Sequence, residues 1–210
     1  MSFITPPFII SILIALTVHE VSHGLVARWL GDPTAKHEGR LTLNPLAHLD
    51  LVGTLMFLTV GFGWAKPVPI NPGYFRNIKK GMTLTALAGP ASNLLLVLVT
   101  VIIAKITIAT GMDAGPANQF FIELFYSMIF LNLGLMAFNL LPVAPLDGSK
   151  ILAMFVPLKY EAEYEDYLRK GPIILIALLI GERMLGIPLI VGWISAIIDP
   201  LLLVADKFLS

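Results

Sequence analysis

His19 and His23 stand four residues apart, with Glu20 beside the first, in the apolar run "FIISILIALTVHEVSHGLVARW" that begins at Phe8. On an α-helix this spacing sets both imidazoles on one face, one turn apart. Two nitrogens so arranged can reach a single zinc ion at about 2.0–2.1 Å. A carboxylate next to the first ligand is suited to take a proton from an activated water rather than to bind the metal itself. Each ionisable group inside a bilayer costs at least ~2.5–3.5 kcal/mol on insertion scales. Three of them at this spacing in an apolar helix therefore point to a metal site. Thr17, Ser22, Gly24 and Ala27 are small and let other helices approach closely.

A catalytic zinc takes three protein ligands and keeps one position open. His37 reads as a loop residue. His48, in "NPLAHLD", either lines the site or lies at the membrane interface. Glu123 falls near a helix start, where the dipole favours a carboxylate. Glu182 neighbours Arg183 and reads as interfacial, and Asp199 precedes Pro200 at a helix end or break. Asp147 is the best candidate. It follows a stretch broken by Pro142 and Pro145 and is followed by Gly148. Such breaks occur at membrane depth where protein or water satisfies the freed backbone.

The elements that must carry these residues follow from composition. Of 210 residues, 57% are hydrophobic and 13% charged, and the mean hydropathy is +0.84. Soluble domains carry about 25% charged residues, so the chain reads as a multi-span membrane protein of one domain, residues 1–210. The formal net charge of zero gives no reason to expect nucleic acid. Without cysteine there are no disulfides, thiolate metal sites or cysteine nucleophile. The N-terminal apolar run lacks a basic segment before it and a small-residue cleavage site after it, and is expected to be retained.

Residues 6–28 predict a first spanning helix, ended by Gly31, Asp32 and Pro33. Residues 34–80 mix polar and apolar positions. "RLTL" and "KPVPI" alternate like strands, and the apolar core near residues 50–63 is too short for a comfortable span. Further spans are expected over 83–109 and 119–141, then a short piece over 148–157 and a charged segment over 159–170. Residues 171–206 make two short spans or one broken span. Together these predict an all-α polytopic membrane protein of about 5–6 transmembrane helices, with a short membrane-dipping β-hairpin after the first helix.

Arg28, Lys36, Arg40, Lys66, Arg76, Lys79 and Lys80 fall between the first two full spans, and Lys159, Arg169 and Lys170 after the third. The loop around "GMDAGPAN" has no basic residue. If residues 50–63 dip and return, all these charges share one face, which the positive-inside rule makes cytoplasmic.

The motifs "HEVSH" (19–23), "NPLAHLD" (44–50), "AGPASN" (88–93) and "NLLPVAPLDG" (139–148) resemble those of the site-2 proteases, intramembrane zinc metalloproteases, in kind and in order. The resemblance implies one Zn2+ per chain, held by His19, His23 and Asp147, with Glu20 as general base. It implies that Asn139 holds the substrate backbone or the broken helix, where a helix C-cap is the plain alternative. Asn93 would face the active site, or serve as a helix-packing amide. Gly61 and Gly63 resemble a Gly-x-Gly element of a membrane-dipping hairpin whose edge could pair with unwound substrate; the plain alternative is a turn. The implied substrate is a single-span or membrane-anchored protein, cut by a multi-pass protein of the cell membrane whose active site lies nearer the cytoplasmic face. The competing reading is a membrane zinc transporter or a non-proteolytic zinc-binding membrane protein. A transporter would need metal-binding groups along a route, and would leave Glu20 without a task.

Overall fold

The computed structural model describes residues 5–61, 63–111 and 118–209. Among them the regular structure is helical: α1 (Pro6–Trp29), α2 (Thr34–His37), α3 (Leu51–Val60), α4 (Ile78–Ala109), α5 (Asn118–Asn139), α6 (Asp147–Leu152), α7 (Glu161–Leu185) and α8 (Leu189–Leu209), with four short 3-10 turns between them. Residues 112–117, in the loop read as free of basic residues, lie outside the described residues, as does Phe62 of the Gly-x-Gly element.

Among the described residues, four helices, α1, α4, α5 and α8, are long and apolar enough to cross a membrane. Local chemistry fixes their starts. Thr5 caps α1 by accepting from the Phe8 N–H, and Pro6 and Pro7 fall in the first turn, where a missing N–H costs nothing. The Asn77 side chain caps α4 at the Lys80 N–H. On α1 the buried positions Ser11, Ala15, His19, His23 and Ala27 recur every fourth residue, which is one face of a helix. That face meets α4 and α5, and these three helices form the centre of the molecule. Val97 and Val101 of α4, Ile129, Leu133, Met136 and Ala137 of α5, and Ile198 of α8 build the core on one side of it. Leu95, Leu98, Ile102 and Ile106 stand more than half exposed along the opposite face of α4, as lipid contact requires.

The segment expected to form a dipping hairpin is built differently. It runs into the ten-residue α3, and the chain then returns extended, joined to residue 49 by a single antiparallel bridge, Leu49 to Ala65. The Lys66 N–H donates to His48 O at 2.9 Å. No strand forms at "RLTL" or "KPVPI" among the described residues. Pro67 and Pro69 remove alternate N–H groups from the second of these, so no ladder can extend along it. Gly61 ends α3 in the left-handed conformation (φ 79°). At Gly53 and Gly63 the helix and the returning chain touch backbone to backbone, with no room for a Cβ on either residue.

The expected charged segment runs on into the first part of the apolar stretch, residues 171–185, as one helix, α7, which continues through Pro172, and the rest of that stretch forms α8. Glu182 caps the next helix: its carboxylate accepts from the N–H groups of Ile190 (2.9 Å) and Val191 (3.1 Å), where α8 begins. α7 also braces the break after α5. Tyr167 Oη donates to Pro142 O and Tyr164 Oη to Ser149 O, while Leu175 packs with Leu141, Val143 and Leu146.

Candidate metal centre

His19 and His23 project from the buried face of α1 and are 4% and 7% exposed. Their rings meet edge to face, with centroids 4.6 Å apart. Asp147, 5% exposed, opens α6 on the far side of the proline-broken stretch. A side chain at residue 148 would run into the carbonyls of Leu140 and Leu141. Only glycine there lets α6 fold back closely enough to bring Asp147 to α1. The carboxylate Oδ2 lies 3.2 Å from Nε2 of each histidine, and Lys150 Nζ stands 3.5 Å from Oδ1. One donor atom from each of the three residues falls within 4.8 Å of the others.

The outer contacts orient the donors. His23 Nδ1–H donates to Thr85 O at 2.7 Å and His19 Nδ1–H to Asn93 Oδ1 at 2.6 Å. Both acceptors are oxygens, so each ring carries its proton on Nδ1 and presents the Nε2 lone pair to Asp147. Such second partners fix a metal-binding imidazole in tautomer and orientation.

These residues fit a zinc ion. Tetrahedral coordination at about 2.0–2.1 Å sets donor atoms about 3.3 Å apart, close to the 3.2 Å observed between Oδ2 and each Nε2. Asp147 Oδ2 is buried and no hydrogen bond meets it, an expensive state for a carboxylate oxygen unless a cation shares it. α4 contributes no side chain at the nearest point, because Gly89 lies against both rings.

The chain matches the model of peptidase family M50 over residues 102–179. It is 39% identical over 207 residues to a Bacillus subtilis (strain 168) protein named "Putative zinc metalloprotease YwhC", covering 94% of each chain. The chain belongs to peptidase family M50. Its likeness to a Mycolicibacterium smegmatis protein named "Putative zinc metalloprotease Rip2" is 28% identity over 177 residues, 82% of this chain and 66% of the relative. A Mycobacterium tuberculosis (strain ATCC 25618 / H37Rv) protein of the same name is 29% identical over 147 residues, 67% of this chain and 53% of the relative. No solved structure matches the chain.

In this M50 chain the residues expected at the site divide into two groups. His19, His23 and Asp147 converge, and Asn93 stands directly behind His19. Glu20 lies beside them on α1, its Oε2 accepting from the Val68 N–H at 2.9 Å. The others are seen in contacts of their own. His48 is buried, and its Nε2–H donates to Thr42 O at 2.8 Å. Asn139 is the last residue of α5 and donates back to Leu135 O at 3.0 Å. Gly61 and Gly63 serve the turn and the close crossing after α3.

Sequence reading missed Val68, Thr85 and Asn132. Val68 and Thr85 act through their backbones, which no residue type announces. Asn132 had a signal: it is an amide in the middle of the apolar run "MIFLNLGLMAF", where an uncompensated polar group is costly.

Proposed function

We propose that the chain is an intramembrane zinc metalloprotease of the site-2 type, acting as a single domain on single-span or membrane-anchored proteins. The observation that carries this reading is the convergence of His19, His23 and Asp147 beside Glu20 on a helix long enough to cross a membrane. Three protein donors leave one coordination position for water or substrate, as a hydrolytic site requires. Among the described residues these three form one group rather than a series along a route, which favours hydrolysis over transport.

His19, His23 and Asp147 hold the ion, with Lys150 balancing the second oxygen of Asp147. Bound zinc supplies Lewis-acid activation of a water and of the scissile carbonyl. Glu20 is the general base. Its Oε2 is tied to the Val68 N–H, so Oε1 takes the proton and returns it to the leaving amine. A substrate helix must unwind first, because its carbonyls are engaged in helical hydrogen bonds. In the membrane, α7 supplies a fifth embedded helix through its apolar C-terminal half, and the α3 segment dips and returns as a helix–turn in place of a hairpin. The basic residues then share the cytoplasmic face, with the site nearer that face.

The test is zinc content and cleavage of a single-span substrate by the purified protein in detergent, with Glu20→Gln and Asp147→Ala alongside. The expected result is one zinc per wild-type chain, kept in Glu20→Gln and weakened in Asp147→Ala, with cleavage lost in both. A Glu20→Gln protein that still cleaves would remove Glu20 as the base.

A further inference from the structure

We infer that Asn132 is a positioning residue for the metal centre, acting on His19 through Asn93; this rests on the zinc reading above. The three side chains come from the three central helices, α5, α4 and α1, and are 0%, 0% and 4% exposed. Asn93 Nδ2 donates to Asn132 Oδ1 at 2.8 Å and to Ala15 O at 3.3 Å. Asn132 Nδ2 donates to Met128 O at 2.7 Å.

The direction of this chain is fixed at its ends. A backbone carbonyl only accepts. Met128 O therefore demands the NH2 of Asn132, which turns Oδ1 of Asn132 toward Asn93. That oxygen, together with Ala15 O, demands the NH2 of Asn93, which turns Oδ1 of Asn93 toward His19. His19 must then carry its proton on Nδ1, and only Nε2 is left to bind a metal. Removing the Asn132 amide deletes the nearer of the two acceptors that hold Asn93. The Asn93 amide can then rotate, and the His19 ring loses its fixed partner. The hydrogen bonds of the Asn132 side chain go to Asn93 and Met128, so its route to His19 passes through Asn93.

That dependence is the test. Zinc affinity would be measured by chelator competition on the full chain in detergent, for Asn132→Leu, Asn93→Leu and the double variant. The d–d spectrum of each cobalt-loaded protein would be recorded beside it. Asn132→Leu should weaken zinc binding by about tenfold or more, in the range of second-partner losses at metal-bound histidines, and should shift the cobalt spectrum. In the Asn93→Leu background the same substitution should change neither. Asn132→Ser, which retains an acceptor in a smaller side chain, should fall between wild type and Asn132→Leu and serves if the leucine variant does not fold. Wild-type affinity and spectrum in folded Asn132→Leu or Asn132→Ser would overturn the inference, and so would equal losses in both backgrounds. Wild-type protein that takes up no zinc would overturn the metal reading as well; zinc-binding wild type with independent variants would overturn this inference alone.

Discussion

Gly89 of α4 faces His19 of α1 so closely that a Cβ on residue 89 would stand 2.5 Å from His19 Cε1 and 2.6 Å from its Nε2. The same Cβ would stand 2.6 Å from His23 Cε1. Both rings are held from behind, by Asn93 and by Thr85 O, and have little freedom to retreat. Gly89→Ala should therefore lower zinc affinity by roughly tenfold or more while the helical circular dichroism is kept. Gly134→Ala on α5, where a Cβ meets nothing within 4 Å, is the matched control and should leave zinc binding unchanged. Equal affinities in the two variants would mean that the rings move aside.

Val68 holds Glu20 through a backbone group, so only proline at residue 68 removes the contact. Pro67 and Pro69 already flank it. Val68→Pro should keep zinc and lose about tenfold in kcat for a single-span substrate, the order expected for an outer partner of a catalytic group. Val68→Ala retains the N–H and should lose much less. Faster cleavage by Val68→Pro would instead make the contact a restraint on Glu20.

Asp147 is the donor that belongs to another part of the chain. Asp147→Asn keeps the shape but removes the charge that balances the ion. Zinc should dissociate at least about tenfold more readily, the lower end of what loss of a mere outer partner costs, as read by competition with a chelator. Chelator-treated wild type should lose cleavage and regain it when zinc is returned. Cleavage that persists after the zinc has been removed would show that the metal is not needed.

Tyr167 braces the broken stretch by donating to Pro142 O. Tyr167→Phe leaves the ring and deletes one hydrogen bond, typically worth about 1 kcal/mol. A lower thermal midpoint in detergent is expected, with zinc stoichiometry unchanged. A variant that loses zinc at an unchanged midpoint would give α7 a direct part in shaping the centre.

Much of this protein was legible in its residues. Hydropathy marks the long helices, because a bilayer admits only segments that satisfy their own backbone. The His19–His23 spacing marks one face of one of them, because helical geometry is local. Asp147 could be nominated because Pro142, Pro145 and Gly148 announce a break. The dipping segment was less legible: alternation suggests strands, but the prolines that punctuate it also deny it a ladder, and α3 forms in part of it.

The sequence by itself determined the membrane class, the first helix and the types of the donor atoms, all of which rest on composition and short-range periodicity. Tertiary structure alone decided that Asp147 reaches the two histidines, that Asn93 meets His19, and that Val68 holds Glu20. Those relations join residues as many as 128 positions apart. They depend on how closely α1, α4, α5 and α6 pack, and no local preference of the chain encodes that distance.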